Sequence, residues 1–269
     1  MTMNETSPHA KGMEEYMNRG IKEVIIEHPE LEKILDGYDI GCGACMVGTC
    51  LLKDIVEVHG LPPETEKALM GRITKAIYPD ADIEVPEDDG KAVVRTFTYS
   101  PPVQTLVDEH VLIKRLIALI PCINESLDLT TEEGRQVVFD GIDFIKTYAD
   151  SFHHAKEEDL LFKYFDEDSE IVAAFHEDHR NARDHVKNIL EGVAEQDSAK
   201  VTEHLGAYME LLQGHIKRED EVLYPWMDRD LSSEQEAELA RAFDEVDVKF
   251  GDVNARYGAF VAGLEKSFQ

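Results

Sequence analysis

Positive charge is scarce in this 269-residue chain: 27 Lys and Arg stand against 56 Asp and Glu, a formal net charge of −29. A nucleic-acid binder needs a basic face to neutralise phosphates and release counterions, and a protein lying on anionic lipid needs the same. The composition argues against both partners. Long apolar runs are also missing. The longest, residues 116–123, falls far short of the ~20 residues that span a bilayer, and residues 1–17 hold no apolar stretch of signal-peptide length. The expectation is a cytoplasmic protein. Cysteine is rare, with four residues, too few for a secreted disulfide scaffold. Three of them, Cys42, Cys45 and Cys50, fall close together, which points to redox or metal chemistry. Against these absences, 43% apolar and 8% aromatic residues suffice to bury a core.

The chain reads in two parts. Up to about residue 78, short apolar clusters recur at helical spacing, punctuated by Pro29, Gly37, Pro62 and Pro63. Residues 1–78 are therefore expected to form a small helical, Cys-bearing domain. Periodicity is lost over 79–102, where Pro79, Pro86, Asp88, Asp89 and Gly90 mark a linker. From Ser100 onward helix starts are legible: Ser100-Pro101, Thr130 with Glu133, Asp168 or Ser169, Asp197 or Ser198, and Ser232 with Gln235. These predict helices over about 101–122, 131–164, 169–194 and 198–228, and a fifth toward the carboxyl end. No strand pattern intervenes. The fold class is all-α, with residues 103–269 forming a four-helix bundle plus a trailing helix.

Histidine is concentrated in that bundle: eight of eleven lie between His110 and His215, and none follows. At ~100° per residue, His110 lies on the stripe of Val103, Leu106 and Ile113, His179 on that of Val172, Phe175 and Val186, and His215 on that of Val201, Tyr208, Val222 and Trp226. The second helix carries two adjacent histidines. The line through His153 holds Ile142, Ala149, Leu160 and Tyr164, whereas the line through His154 holds Asp140, Asp143 and Asp150. This places His153 and Glu157 inside, and His154 and Glu158 outside or on a shoulder. His153-x-x-x-Glu157 recurs as His215-x-x-x-Glu219, displaced by 62 residues, so the bundle is expected to have pseudo-two-fold symmetry. His185 is off its stripe, and His204, ~16 Å along the helix from His215, is read as no ligand. Cys122 is read as core.

Four inward histidines and two inward glutamates, with no inward Lys or Arg evident beyond shoulder residues Lys114 and Arg183, call for a cation. A buried carboxylate without a partner costs several kcal/mol. Imidazole and carboxylate without thiolate suit iron or manganese better than structural zinc. Six side chains suit two octahedral metals, with His110, His153, His179 and His215 terminal and Glu157 and Glu219 bridging.

These residues resemble the hemerythrin-like, or HHE cation-binding, superfamily over roughly residues 103–228. The signature is His153-x-x-x-Glu157-Glu158-x-x-Leu161-Phe162 with its repeat His215-x-x-x-Glu219, and His110 and Asp178-His179 fill the single-histidine positions. Oxygen-carrying hemerythrins have a further histidine where this chain has Phe175; His176 lies about 60° off the stripe. The four-His, two-Glu set is similar to that of the di-iron proteins of iron-sulfur cluster repair. The resemblance implies two non-haem irons, oxo- or hydroxo-bridged, O₂ or NO as small ligand, iron-sulfur proteins or a redox partner as further partners, and a role in recovery from nitric oxide and oxidative stress. A sensor or store for O₂ or NO without turnover is the alternative.

The stretch LDGYDIGCGACMVGTC, residues 35–50, resembles the short cysteine domain of the repair proteins and the redox-disulfide domain associated with hybrid-cluster proteins. Three readings stay open for Cys42, Cys45 and Cys50: a Cys42/Cys45 redox disulfide, an iron-sulfur or zinc site including His59, or reduced structural thiols.

Overall fold

The computed structural model describes residues 13, 15–38, 40, 51–53, 55, 59, 61–81, 85, 97–166 and 169–268. Cys42, Cys45 and Cys50 lie outside the described residues, and so does Asp168. The chain divides into two compact units, Met1–Thr98 and Tyr99–Gln269.

In the first unit, α1 (Ile21–Glu27), α2 (Glu30–Asp36) and α3 (Pro63–Ile77) surround a core of Ile21, Val24, Leu31, Leu35, Leu69 and Ile73. Proline opens α3 at its first position, where its missing N–H would have no helical partner. A single antiparallel bridge joins Gly20 to Leu51.

The second unit is helical throughout its described length. α4 (Pro101–Ile117) and α5 (Ile120–Ser126) replace the single helix expected over 101–122. Pro121 in the first turn of α5 cannot donate back to the preceding turn. The break turns Ile120 and Ile123 into the core and leaves Cys122 exposed, correcting its reading as core. α6 (Glu132–Phe144) runs on without interruption of the chain direction through two π-helical stretches, Ile145–His154 and Glu157–Leu161, and a 3₁₀ turn, Phe162–Tyr164. α7 (Glu170–Glu195) and α8 (Ser198–Arg218) pack along each other, and α8 continues through a π stretch, Glu219–Leu223, into α9 (Tyr224–Asp230). The α7–α8 turn is tight: a Cβ on Gly192 would come 2.8 Å from Val201 Cγ2. α10 (Ser233–Phe250) and α11 (Val253–Ser267) lie against α4 and the π stretches.

Among the caps, Asp197 and the Ser232/Gln235 capping box form as expected. The second helix is capped by Thr131, which accepts from Gly134 N, one residue later than Thr130 with Glu133 would place it. Thr130 instead bonds Asp128.

The π stretches decide which side chains face inward. An i→i+5 pattern turns the chain less per residue than an α-helix does, so the inner face widens and its register advances. Along the first stretch both His153 and His154 are buried, at 1% and 3% exposure, and Lys156 is buried completely. From the end of each π turn the buried positions depart from the α-helical stripe. Leu161 and Phe162 are buried rather than Leu160 and Tyr164, and Leu223, Tyr224 and Met227 rather than Val222 and Trp226.

Candidate metal centre

The π turns Glu157–Leu161 and Glu219–Leu223 are displaced by the same 62 residues as the two His-x-x-x-Glu motifs, so the internal repeat is a repeat of backbone as well as of sequence. They bring six side chains from α4, the long second helix, α7 and α8 to one place: His110, His153, Glu157, His179, His215 and Glu219, all with exposures of 0–1%. His154 joins them. Its ring stacks on that of His179, centroids 3.8 Å apart and planes 13° from parallel. The placement of His154 on the outside is therefore overturned, because the 100° rule does not hold through the π stretch that carries it. Glu158 is on the shoulder, as expected, with its side chain 23% exposed.

The donor atoms fall into two groups. His110, His153, Glu157 and Glu219 place one ligand atom each within 4.8 Å of one another, and His154, His179 and His215 do likewise. Between the groups, His179 Nε2 is 3.5 Å from Glu157 Oε2 and His215 Nε2 is 3.0 Å from Glu219 Oε1. On the first side, His110 Nε2 is 3.2 Å from Glu219 Oε2 and His153 Nε2 is 3.8 Å from Glu157 Oε2. Each glutamate thus faces both groups.

The Nδ1 side of each imidazole is tied back in the same way four times. His110 Nδ1 meets Asp220 at 2.7 Å and Lys114 holds Asp220. His179 Nδ1 meets Glu158 at 2.6 Å and Arg183 holds Glu158. His153 Nδ1 meets Glu109 at 2.8 Å and Lys156 holds Glu109. His215 Nδ1 meets Asp178 at 3.1 Å and Arg218 holds Asp178. The repeat is visible as Glu109-His110-x-x-x-Lys114 beside Asp178-His179-x-x-x-Arg183, and as His153-x-x-Lys156-Glu157-Glu158 beside His215-x-x-Arg218-Glu219-Asp220. A carboxylate on Nδ1 fixes the tautomer and ring plane so that Nε2 is presented outward from that support, as ligating histidines require. The expectation that no cation faces inward fails for Lys156. That ammonium is committed to Glu109 and to Asp247 of α10 at 2.7 Å, over the Phe152 ring; its bonds do not include Glu157 or Glu219, whose ion-pair partners among the described residues are imidazoles.

What the Nε2 side faces is the chemical clue. His110 Nε2, His153 Nε2, Glu157 Oε2 and both Glu219 oxygens are buried without an aligned hydrogen bond, the His215 and His110 nitrogens 3.0 and 3.2 Å from Glu219 being badly angled for one. Native proteins pair buried polar atoms almost always, and five orphans converging on one space fit a bound cation. Electrostatics agrees. Burial and the neighbouring Glu219 push the Glu157 carboxyl well above the usual range. For Glu219, burial acts upward, but His215 and His110 outweigh it and hold the group well below that range. Burial would lower His215, yet the charge of Glu219 and the bond to Asp178 raise it to about 9. Burial lowers His154 to about 4, so that ring is neutral and available as a donor. Burial and mutual repulsion keep the two glutamates from ionising together, while, against burial, Glu219 and the backing carboxylates raise both His110 and His215; bound cations would let both glutamates ionise.

Tyr224 was not singled out from the sequence as functional. Its hydroxyl donates a 2.5 Å hydrogen bond to Glu157 Oε1 and its ring stacks on His110; the counterpart Phe162 stacks on His179 but has no hydroxyl. His185 and His204 pair with each other through Nδ1 atoms 3.0 Å apart, outside both donor groups, as their positions suggested. A cavity of about 450 Å³, lined by apolar residues such as Ala149, Ala182, Val186 and Tyr208 and by charged ones such as Asp150 and Arg183, reaches His154.

Residues 102–227 match the family model of the hemerythrin HHE cation binding domain, so this stretch of the chain is hemerythrin-like. No curated protein and no solved structure matches the chain significantly. No helix among the described residues is long and apolar enough to cross a membrane.

Proposed function

We propose that the hemerythrin-like bundle holds a non-haem di-iron centre and that the protein serves iron-sulfur cluster repair and defence against nitric oxide and oxidative stress. His110 and His153 would hold one iron and His154, His179 and His215 the other, with Glu157 and Glu219, which face both groups, available to each. The observation that carries the reading is the convergence of five orphaned Nε2 and carboxylate atoms, each of the four repeated imidazoles backed by a carboxylate and a cation. All the donors are N or O, which suits iron. Bound iron would supply redox chemistry and an open position for a diatomic ligand.

The chain's own residues do the rest. Asp220, Glu109, Glu158 and Asp178 keep the Nδ1 protons in place. Tyr224 engages one oxygen of Glu157, leaving Oε2 toward the donor groups. The surrounding apolar side chains, Phe162, Phe175 and Leu223 among them, exclude water, which strengthens every electrostatic interaction inside. Cys42, Cys45 and Cys50 would serve as electron relay, iron-sulfur site or docking element. The site acts on O₂ or NO, with iron-sulfur proteins or a redox donor as partner, in the cytoplasm.

His154 favours a second reading, reversible binding of O₂ or NO for sensing or storage. It adds a fifth imidazole to a set that has Phe175 where the oxygen carriers have histidine, and a mostly apolar cavity reaches it. Adding O₂ or NO anaerobically to the reduced protein separates the two. Repair predicts oxidation with release of iron or its transfer to an apo iron-sulfur protein. A stable adduct that reverses when the gas is removed, with both irons kept, would establish the second reading.

A further inference from the structure

The near-symmetry of the two donor groups makes their differences informative. The residue that holds the buried Nδ1 carboxylate is Lys156 on one side and Arg218 on the other. Lys156 is 0% exposed, seated over Phe152 and held from the solvent side by Asp247, itself 45% exposed. Arg218 is 18% exposed and bonds Asp178 alone among the carboxylates. Asp247 belongs to α10, which lies beyond residues 102–227 and is packed against the Glu157–Leu161 turn. The His153 arm therefore has a buried support, Glu109 and Lys156, where salt and solvent screen least, anchored through Lys156 to the half-exposed Asp247 on a helix outside the repeat.

The other side differs in the opposite sense. Glu158 and His176, both half-buried, bring ligand atoms within 4.8 Å of one another and of His179. They form a donor set one step outward from the centre. The symmetry-related position of His176, 69 residues earlier as His110 is to His179, is Val107, which offers no donor. His154 adds to the asymmetry: its counterpart is Ile216, and its Nδ1 has Asp150 only at 3.6 Å, so its ring is the least firmly oriented of the five.

We infer that the two metal positions are unequal in exchange. The His110/His153 position is the retained one, fixed by the Asp247–Lys156–Glu109–His153 chain. The His154/His179/His215 position is the exchangeable one, loaded and emptied by ligand exchange through Glu158 and His176. This rests on the di-iron reading and deepens it, since it states which iron would be given to an acceptor. No change of oxidation state is required. Glu158 and His176 would offer replacement donors beside His179 as an imidazole is given up, and the acceptor would supply the last ligands.

The test is anaerobic removal of iron from the full-length ferrous protein by excess ferrozine, read by the absorbance of the iron chelate. The expected course has two phases of one iron each. His176→Ala should slow the fast phase alone. Asp247→Ala should accelerate the slow phase alone, by about tenfold, the scale on which outer-shell partners of ligating histidines act. Asp247→Asn, which keeps the shape and loses the charge, should do the same where Asp247→Ala loosens the fold. His153→Ala should delete the slow phase and keep the fast one. Loss of both irons in a single phase would overturn the inference while leaving the di-iron reading intact. So would a His176 variant with unaltered kinetics, or equal acceleration of both phases by the Asp247 variants. A wild-type protein that binds no iron would overturn the di-iron reading itself.

Discussion

The hydroxyl of Tyr224 donates to Oε1 of Glu157 at 2.5 Å, across 67 residues of sequence. Glu219, the counterpart of Glu157, receives no such phenol, because Phe162 stands where symmetry would put it. The two bridging candidates are therefore not equivalent. In Tyr224→Phe one oxygen of Glu157 loses its donor in a fully buried place, which should destabilise the metal-free protein by about 1–3 kcal/mol. The iron content should stay the same, while the visible spectrum shifts as Glu157 becomes free to use both oxygens. Chemical denaturation of the apo protein and absorption of the loaded protein check the two halves separately. Unaltered values in both would reduce Tyr224 to packing.

His153 and His154 should both matter, in different measure. His153→Ala removes a donor from the group that includes both glutamates and should cost about one iron per chain. His154→Ala leaves His179 and His215 and should weaken the second iron without abolishing it. Iron titration of the two variants separates these outcomes. Wild-type iron affinity in the His154 variant would return that ring to a packing role.

Most of the centre was legible in the sequence because its logic is local. The four-residue spacing of His153 to Glu157 and of His215 to Glu219 keeps each pair together even at the π stretches, and the apolar neighbours of His110, His179 and His215 put those side chains on the right faces because there the backbone is an α-helix. The errors cluster where it is not. A π stretch has no apolar signature that separates it from an α-helix, so Ile145–His154 hid the burial of His154 and of Lys156 just beyond it. The turns after Glu157 and Glu219 hid Phe162 and Tyr224 in the same way. The doubled His153-His154 and the matched cations at Lys156 and Arg218 were the available hints. Cys122 was misplaced for a related reason, since the break after Ile117 shortens the helix that would have buried it. The backing network of Glu109, Lys156 and Asp247 depends on tertiary contact between distant segments, which periodicity within one helix does not register.

Lys156 gives a stability test. Its ammonium is wholly buried between Glu109 and Asp247. Truncation to Ala strands the nearly buried Glu109 charge and should cost about 3–5 kcal/mol in the apo protein. Lys156→Met together with Glu109→Gln removes both charges at once and should recover most of that loss. Urea denaturation of the single and double variants measures the coupling. Additive losses would show that the two groups do not support each other.

Acid should oppose iron loading. In the metal-free site His215 carries its proton up to about 9, and Glu157 is held well above the ordinary carboxylate range by burial and by Glu219. A cation takes the neutral imidazole and the ionised carboxylate, so loading near neutral pH displaces the His215 proton, and the raised His110 and Glu157 act in the same direction. Affinity therefore falls as pH falls, by about tenfold per unit for each proton released, and the His215 contribution ends once that ring is neutral above about pH 9. Titration calorimetry in buffers of different ionisation heat counts the protons. Affinity that does not change between pH 6 and 8 would contradict these protonation states.

The central claim is that the five imidazoles and two glutamates gathered in the bundle hold a pair of irons. Metal analysis of the full-length protein loaded anaerobically with ferrous ion and then oxidised, read together with its visible spectrum before and after reduction, tests it most directly. The account predicts two irons per chain and an absorption band typical of a bridged ferric pair that disappears on reduction. One metal or none per chain, or a colourless protein that takes up zinc in preference to iron, would contradict it.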